Sequence, residues 1–266
     1  MDSFSFQWRM EPSLLYDERC SVESFECKTG VRLRELCGLT VLDAGCGSGR
    51  FLEIVSRVQA SQVVGLDLSG SVEQAHLLVG KRPNVHVVHA DLFHPPFRDG
   101  SFDLVFSLGV LHHTPNPKLA FQRLVPLSKL GGRIAVFVYV AAIQVGDLSS
   151  HIEESMSRAY RKITTKLPKW LLFLLCFSTI PLYHFRRLLK HVPRFGPVFA
   201  LVVFMNTHPN WRWRILETFD WYSPKYQSKH TTPEVVGWFN ESGLQEIYRL
   251  SFPVSVVGRR CRIAEG

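Results

Sequence analysis

One stretch constrains the fold more than any other. A short apolar run, Thr40-Val41-Leu42-Asp43, stops in Ala44-Gly45-Cys46-Gly47-Ser48-Gly49-Arg50, and a helical pattern begins directly after it. Glycines at alternate positions permit left-handed backbone and let a ligand approach with no Cβ in the way. A strand that ends in such a loop and hands over to a helix is the building unit of parallel α/β sheets, which bind ligands at the carboxyl ends of their strands. The loop is not a dinucleotide fingerprint, because the third glycine of that pattern would fall at position 50, which is Arg50. It is not a P-loop either, since no Gly-Lys-Ser/Thr follows. A loop of this kind suits a nucleoside better than a pyrophosphate. A tight turn with no ligand is the alternative, and the carboxylates farther along the chain argue against it.

The same rhythm continues. Gln62–Leu66, Val85–Val88, Phe102–Phe106 and Arg133–Val138 are short β-branched or aromatic runs separated by helix-length stretches, the pattern of βαβ units. Gly131-Gly132 reads as the turn into the fifth strand. After Tyr139 the rhythm stops for about 90 residues, far beyond an ordinary connection. It resumes at Thr231-Thr232-Pro233-Glu234, a helix start with a Thr cap and Glu three residues on, and Gly243 is a fitting stop. Ile247–Phe252 and Val254–Arg260 then read as two antiparallel closing strands. The expected organisation is an N-terminal helical segment (1–39), a ligand-binding core (40–140), a helical insertion (141–230) and the return of the core (231–266).

Carboxylates stand after successive strands. Asp67, in Gly65-Leu66-Asp67-Leu68-Ser69, closes the second strand and can accept ribose hydroxyls, as acids at this place do in dinucleotide folds. Asp91, in His89-Ala90-Asp91-Leu92, follows the third and can reach an adenine amino group. The order VLDAGCGSGR, GLDLS, HADLFHPPF, SFDLVFSLGVLHHTPNP and LGGRIAVFVY resembles class I S-adenosylmethionine-dependent methyltransferases, of the branch that contains small-molecule methyltransferases. The resemblance covers 40–140 well and 231–266 loosely. It implies a Rossmann-like, seven-stranded, mostly parallel sheet with a reversed last strand. It also implies S-adenosylmethionine as cofactor and S-adenosylhomocysteine as product. By that resemblance Asp43, Gly45, Gly47 and Gly49 line the methionine and sugar side, with Cys46 in the same loop. Asp67 and Leu68 hold the ribose side, Asp91 and Leu92 the adenine, and Ser107 faces the methionine part. Many relatives carry Lys-Pro-Gly-Gly before the fifth strand where this chain has Lys129-Leu130-Gly131-Gly132, which alters the turn and not the cofactor site. In relatives a segment placed like Ser24–Gly30 can lie over the cofactor, so Lys28 or Thr29 could meet the methionine carboxylate; a surface helix is the other reading.

A sulfonium methyl group is already activated, so holding an acceptor in line with it can suffice, and a base is needed only where the acceptor must lose a proton early. His112 and His113 follow the fourth strand at the edge of the expected cleft, and one of them can simply pack. Asp220–Tyr226 with His230 mixes aromatic and titratable side chains just before the sheet resumes. His113, Tyr222 and His230 are the candidate acceptor-side residues. The six cysteines form no Cys-x-x-Cys pair, so no metal site is expected.

The formal net charge is +8, yet Arg158–Arg194 holds nine Lys or Arg and no acid, so the rest of the chain sums to 8 − 9 = −1. This basic segment belongs to the insertion. Ser150 to Leu167 reads as a helix capped by Ser150 and Glu153. Trp170–Tyr183 is apolar but only fourteen residues long and contains Pro181, too short for a span of about 20 residues. Leu182–Val192 is amphipathic and Phe195–Asn206 is apolar again. So large an apolar surface must pack on itself, on the core or on a second subunit of a homodimer. A lid over the acceptor is the favoured reading, and a basic unit lying peripherally on an anionic membrane is the other. Basic residues interleaved with long apolar runs disfavour nucleic acid. The first residues include acids and no apolar signal region, which leads to the expectation of a cytoplasmic, reduced protein. The expected function is methylation of a small-molecule or lipid-like acceptor. The contrasting expectation is a membrane-surface or partner-binding protein on the same scaffold, without turnover.

Overall fold

The computed structural model describes residues 18–189, 192, 196, 199, 203 and 205–261. The first part of the expected N-terminal segment, Lys190, Arg194 and most of the apolar run 195–206 lie outside the described residues. The described residues divide into two compact units: 18–141 with 226–261, and the insertion from 142 to 225.

The first unit is built on a seven-stranded sheet: β1 (Thr40–Ala44), β2 (Gln62–Asp67), β3 (Val85–His89), β4 (Phe102–Leu108), β5 (Ser128–Phe137), β6 (Leu244–Arg249) and β7 (Ser255–Arg260). Their spatial order is β3-β2-β1-β4-β5-β7-β6. β1 to β5 are parallel, and β7 runs antiparallel to both β5 and β6. This is the Rossmann-like sheet with one reversed strand that the sequence implies. The chain builds outward from β1 on one side and resumes at β4 on the other, so the carboxyl ends of β1 and β4 flank the point where the strand order reverses. Open α/β sheets bind ligands at that point.

Strand sequence explains the two-faced core. Leu42, Val105, Ile134 and Val136 belong to one buried cluster, while their neighbours Val41, Leu104, Phe106 and Ala135 belong to the other. Alternate residues of a strand point to opposite faces, and a parallel sheet covered on both faces is apolar on both. Helix α1 (Glu18–Thr29) closes one face: Phe25 is buried and meets Phe106 edge-on, with ring centroids 5.2 Å apart. Helices α2 (Arg50–Val55), α3 (Val72–Val79), α4 (Pro117–Leu124) and the returning helix Thr232–Glu241 complete the unit.

Some local readings are corrected. Gly131-Gly132 is not a turn before the fifth strand; it lies inside β5, where pairing with β4 jumps from Phe102–Ser128 to Leu104–Arg133. Gly131 takes a left-handed φ of 83°, which lets the strand absorb the extra residues as a bulge. The sixth strand starts at Leu244, directly after Gly243, earlier than the sequence reading.

In the insertion, α5 (Ala142–Val145), α6 (Leu148–Thr164), α7 (Lys169–Cys176), α8 (Thr179–Leu189) and α9 (Trp211–Tyr222) are all helical. The α6 cap is Asp147, not Ser150: the Asp147 carboxylate accepts from Ser150 N at 2.6 Å. An ionised acceptor at a helix N-terminus also meets the favourable end of the helix dipole. The apolar run is longer than read from the sequence. Pro181 sits in the first turn of α8, where proline is tolerated, so Lys169–Leu189 is 21 residues and by length and composition long and apolar enough to cross a membrane. Leu172 and Cys176 of this stretch pack with Ile215, Phe219 and Tyr222 of α9 in a small core of the insertion's own.

Candidate cofactor and acceptor site

The glycine loop leaves β1 with Gly45, Gly47 and Gly49 at φ of 96°, 52° and 90°, a left-handed backbone that side chains disfavour. A Cβ at Gly45 would stand 2.4 Å from the Val110 side chain, so glycine also lets the loop after β4 close in. Gly45 N and Cys46 N both donate to Leu66 O, at 2.7 and 3.0 Å, which ties the loop to the end of β2. The Cys46 thiol is buried, and burial pushes its pKa well up.

Asp67 organises the loop. Its Oδ2 accepts from Gly47 N at 2.9 Å, and its Oδ1 accepts from Ser69 N and Ser69 Oγ, each at 2.7 Å. Leu68 beside it is exposed. Asp43 is buried at the end of β1, and its Oδ2 has no hydrogen-bond partner. Burial first, and the Asp67 charge second, push its pKa well up. Ser107 is buried, and its hydroxyl donates to Ala44 O at 2.7 Å, joining β4 to β1. Asp91 follows β3, with Oδ1 accepting from Phe93 N at 3.0 Å, and Leu92 is buried after it. Adjacent strand ends thus carry a left-handed glycine loop, one buried carboxyl oxygen awaiting a donor and one carboxylate with spare acceptor capacity. This donor and acceptor set fits S-adenosylmethionine. The Lys28 ammonium lies 4.4 Å from the Phe137 ring centroid, and the buried Thr29 hydroxyl donates to Phe25 O at 2.8 Å.

Beyond β4 the chain turns through a short 3-10 helix, Leu111–His113. His112 is fully buried with neither ring nitrogen hydrogen-bonded. It stacks 3.8 Å from the Tyr139 ring centroid, and burial holds its pKa well below the usual imidazole range. His113 Nδ1 lies 3.1 Å from Tyr226 O. A carbonyl only accepts, so Nδ1 carries the proton and, in the neutral ring, the lone pair is on Nε2. The loop that returns from the insertion fixes this arrangement. Ser228 N donates to His112 O at 2.8 Å, and His230 N donates to Tyr139 O at 2.8 Å. The nearly buried His230 lies between two partners: Nε2 is 2.7 Å from Ser228 Oγ, and Nδ1 is 2.8 Å from Glu234 Oε1. The Glu234 carboxylate accepts from Nδ1–H, which leaves the Nε2 lone pair facing the Ser228 hydroxyl; that hydroxyl also lies 3.3 Å from His112 O, a longer contact.

His113 and His230 therefore both belong to the hydrogen-bonded loops beyond β4 and β5. Tyr222 belongs to the other unit. Its ring is buried in the insertion core, 6.2 Å from the Tyr160 centroid, and burial raises its pKa. Ser228 and Glu234 were not singled out by the sequence as site residues. The i, i+4 spacing of His230 and Glu234 was the available signal, and Glu234 was read only as part of the helix cap.

The fold and the loop geometry define a Rossmann-like domain that binds a nucleoside-type ligand at its switch point. Residues 42–136 match the family described as a methyltransferase domain. This match, confined to the core, supports a class I S-adenosylmethionine-dependent methyltransferase. Among curated relatives, the chain is 28% identical over 130 residues to the O-methyltransferase resE of Aspergillus sclerotiorum, covering 47% of this chain and 49% of the relative. It is 31% identical over 148 residues to the mitochondrial ubiquinone biosynthesis O-methyltransferase of Dictyostelium discoideum, covering 51% and 44%. The chain thus spans about half the length of these relatives. A likeness over the whole length is to a chain from the Haloferax volcanii complex with the Trm112 methyltransferase activator: TM-score 0.55, 16% identity, 98% of this chain and 99% of that one. That likeness shows the fold alone.

Proposed function

We propose that this chain transfers a methyl group from S-adenosylmethionine to a small-molecule or lipid-like acceptor held beyond the carboxyl ends of β4 and β5. The observation that carries the reading is the pairing of the Gly45–Gly49 loop and Asp67 with the histidine assembly on the adjoining strand ends. The relatives' names, an O-methyltransferase and a ubiquinone biosynthesis O-methyltransferase, support an oxygen on a small, apolar acceptor. The cofactor supplies an activated methyl carbon on sulfur. Asp67 and the glycine loop orient the nucleoside end, and Asp43, with its unpaired oxygen, receives a donor from the ligand. His113 and His230 serve the acceptor. As the acceptor hydroxyl loses its proton to Ser228 Oγ, Ser228 passes its own to His230 Nε2, and Glu234 stabilises the resulting imidazolium. General-base assistance of this kind is worth roughly 10²–10⁴-fold. An intact loop and intact carboxylates favour turnover over a scaffold that has lost its chemistry.

The test is transfer of a radiolabelled methyl group to a panel of phenols, quinols and lipids, run beside calorimetry with S-adenosylhomocysteine. Labelled product is expected, with Glu234→Gln and His230→Ala reducing kcat by on the order of 10²-fold at unchanged cofactor affinity. Full activity of a folded His230→Ala protein would remove the relay, and no binding of S-adenosylhomocysteine would remove the enzyme.

A further inference from the structure

The insertion carries a surface that the chemistry above does not use. On Lys169–Leu189 one face is committed: Leu172, Cys176 and Thr179 are buried, the first two against Ile215 and Phe219. Trp170, Leu174, Phe177, Pro181, Phe185 and Leu188 follow one another at spacings of 4, 3, 4, 4 and 3, which places them on the opposite face of the helical stretch. The five large side chains are exposed by 59, 57, 39, 48 and 71%, in that order, and Pro181 is exposed with them. The stripe runs about 27 Å at 1.5 Å per residue.

Charge decides what it fits. From Ser155 to Leu216 the sequence holds eleven Lys or Arg and no Asp or Glu. Some of these are used inside the unit. Arg161 donates to Trp221 O and Pro224 O, Lys169 donates to Ser223 O, and Arg214 lies 4.0 Å from the Tyr183 ring centroid. Lys162, Lys166 and Arg187 are exposed. An apolar stripe with a Trp at its end, in a segment of one charge sign, matches a helix lying in the interface of an anionic bilayer. A second copy would oppose two basic faces. A span would need apolar surface all round, whereas one side of this stretch is already packed on α9.

We infer that the Trp170–Leu188 stripe seats the insertion on an anionic lipid surface with α7 and α8 parallel to the bilayer. The seat does not depend on whether the core turns over. The test is flotation of the full chain with phosphatidylcholine vesicles and with vesicles also containing phosphatidylglycerol, and quenching of Trp170 by brominated lipid. Binding to the anionic vesicles, weakened by salt, is expected. Lys162→Gln, Lys166→Gln and Arg187→Gln together should weaken it on the order of a hundredfold, at about fivefold per charge near the surface. Leu174→Ser with Leu188→Ser should abolish it while S-adenosylhomocysteine binding persists, and Trp170→Phe should remove the quenching. The inference is overturned by equal binding to both vesicle types, by no binding, or by unchanged binding of the serine variant. It is equally overturned by a dimer in sedimentation equilibrium that the serine variant dissociates, or by retention in the membrane through an alkaline carbonate wash.

Discussion

Replacing Asp67 probes the cofactor site at its most connected point. A carboxylate offers about four lone-pair positions. In this structure Asp67 has filled three of them, with Gly47 N, Ser69 N and Ser69 Oγ. One ribose hydroxyl can therefore join Oδ2 with no rearrangement, and a second requires the Ser69 hydroxyl to swing away from Oδ1. A hydrogen bond to a charged group contributes roughly 1.5–3 kcal/mol. Asp67→Ala loses at least one such bond to the ligand and also releases Gly47, so the loop is no longer held in its left-handed form. Together these come to about 3 kcal/mol, on the order of a hundredfold in Kd. Ser69→Ala separates the two parts of the argument. It leaves the Gly47 clamp and frees acceptor capacity on Oδ1, so it should bind S-adenosylhomocysteine as well as or better than the parent. Titration calorimetry on both variants, with circular dichroism as the check on folding, reads the outcome. Unchanged affinity in a folded Asp67→Ala protein would refute the ribose assignment. A Ser69→Ala loss as large as that of Asp67→Ala would show that turn geometry, not the carboxylate, governs binding.

Other perturbations follow from the same contacts. Gly45→Ala must place a methyl 2.4 Å from Val110 at a φ of 96°; it should lower Tm measurably and weaken cofactor binding, and calorimetric scanning reads both. Asp43 holds its proton to higher pH when folded than unfolded, so its contribution to stability is full below the unfolded carboxylate pKa and is lost as pH rises toward the elevated folded value. Asp43→Asn should therefore show a flatter stability–pH curve above about pH 4, and parallel curves from urea unfolding would refute the burial argument. Cys176 is buried, its thiol pushed up to about 12, whereas Cys20, Cys27 and Cys37 are exposed. At pH near 8, iodoacetamide should label those three in the native protein and spare Cys176, as peptide mass mapping would show.

The sheet was legible because its signals are local. Val41-Leu42 and Val105-Phe106 are buried on both faces, so the apolar runs announce themselves, and Gly45 to Gly49 mark where a strand ends and a ligand can come close. Thr231 and Glu234 form the capping box their spacing predicts. Where local signals compete, the reading slipped. Ser150 and Asp147 are both fit to cap α6, and the charged acceptor takes the place. Gly131-Gly132 looks the same in sequence whether it makes a turn or a bulge, and the pairing of β5 with β4 decides between them.

The acceptor side depends on contacts that no window of sequence contains. His113 and Tyr226 are joined across 113 positions, and Ser228 reaches His112 across 116. The two histidines look alike in sequence, yet one is stacked dry against Tyr139 while the other is oriented by a carbonyl. Apolar content misleads in the same way within the insertion. Both Trp170 and Tyr222 are aromatic residues of helices, and the reading from sequence buried the first and offered the second to an acceptor. In the structure Tyr222 lies in the insertion core and Trp170 is 59% exposed. Of the apolar surface of Trp170–Phe177, the chain itself covers Leu172 and Cys176 and leaves Trp170 and Leu174 exposed. A count of apolar residues gives the amount of surface a segment must shield from water. Only the helix register, set here by which face meets Ile215 and Phe219, shows which part the protein shields itself and which part it leaves exposed.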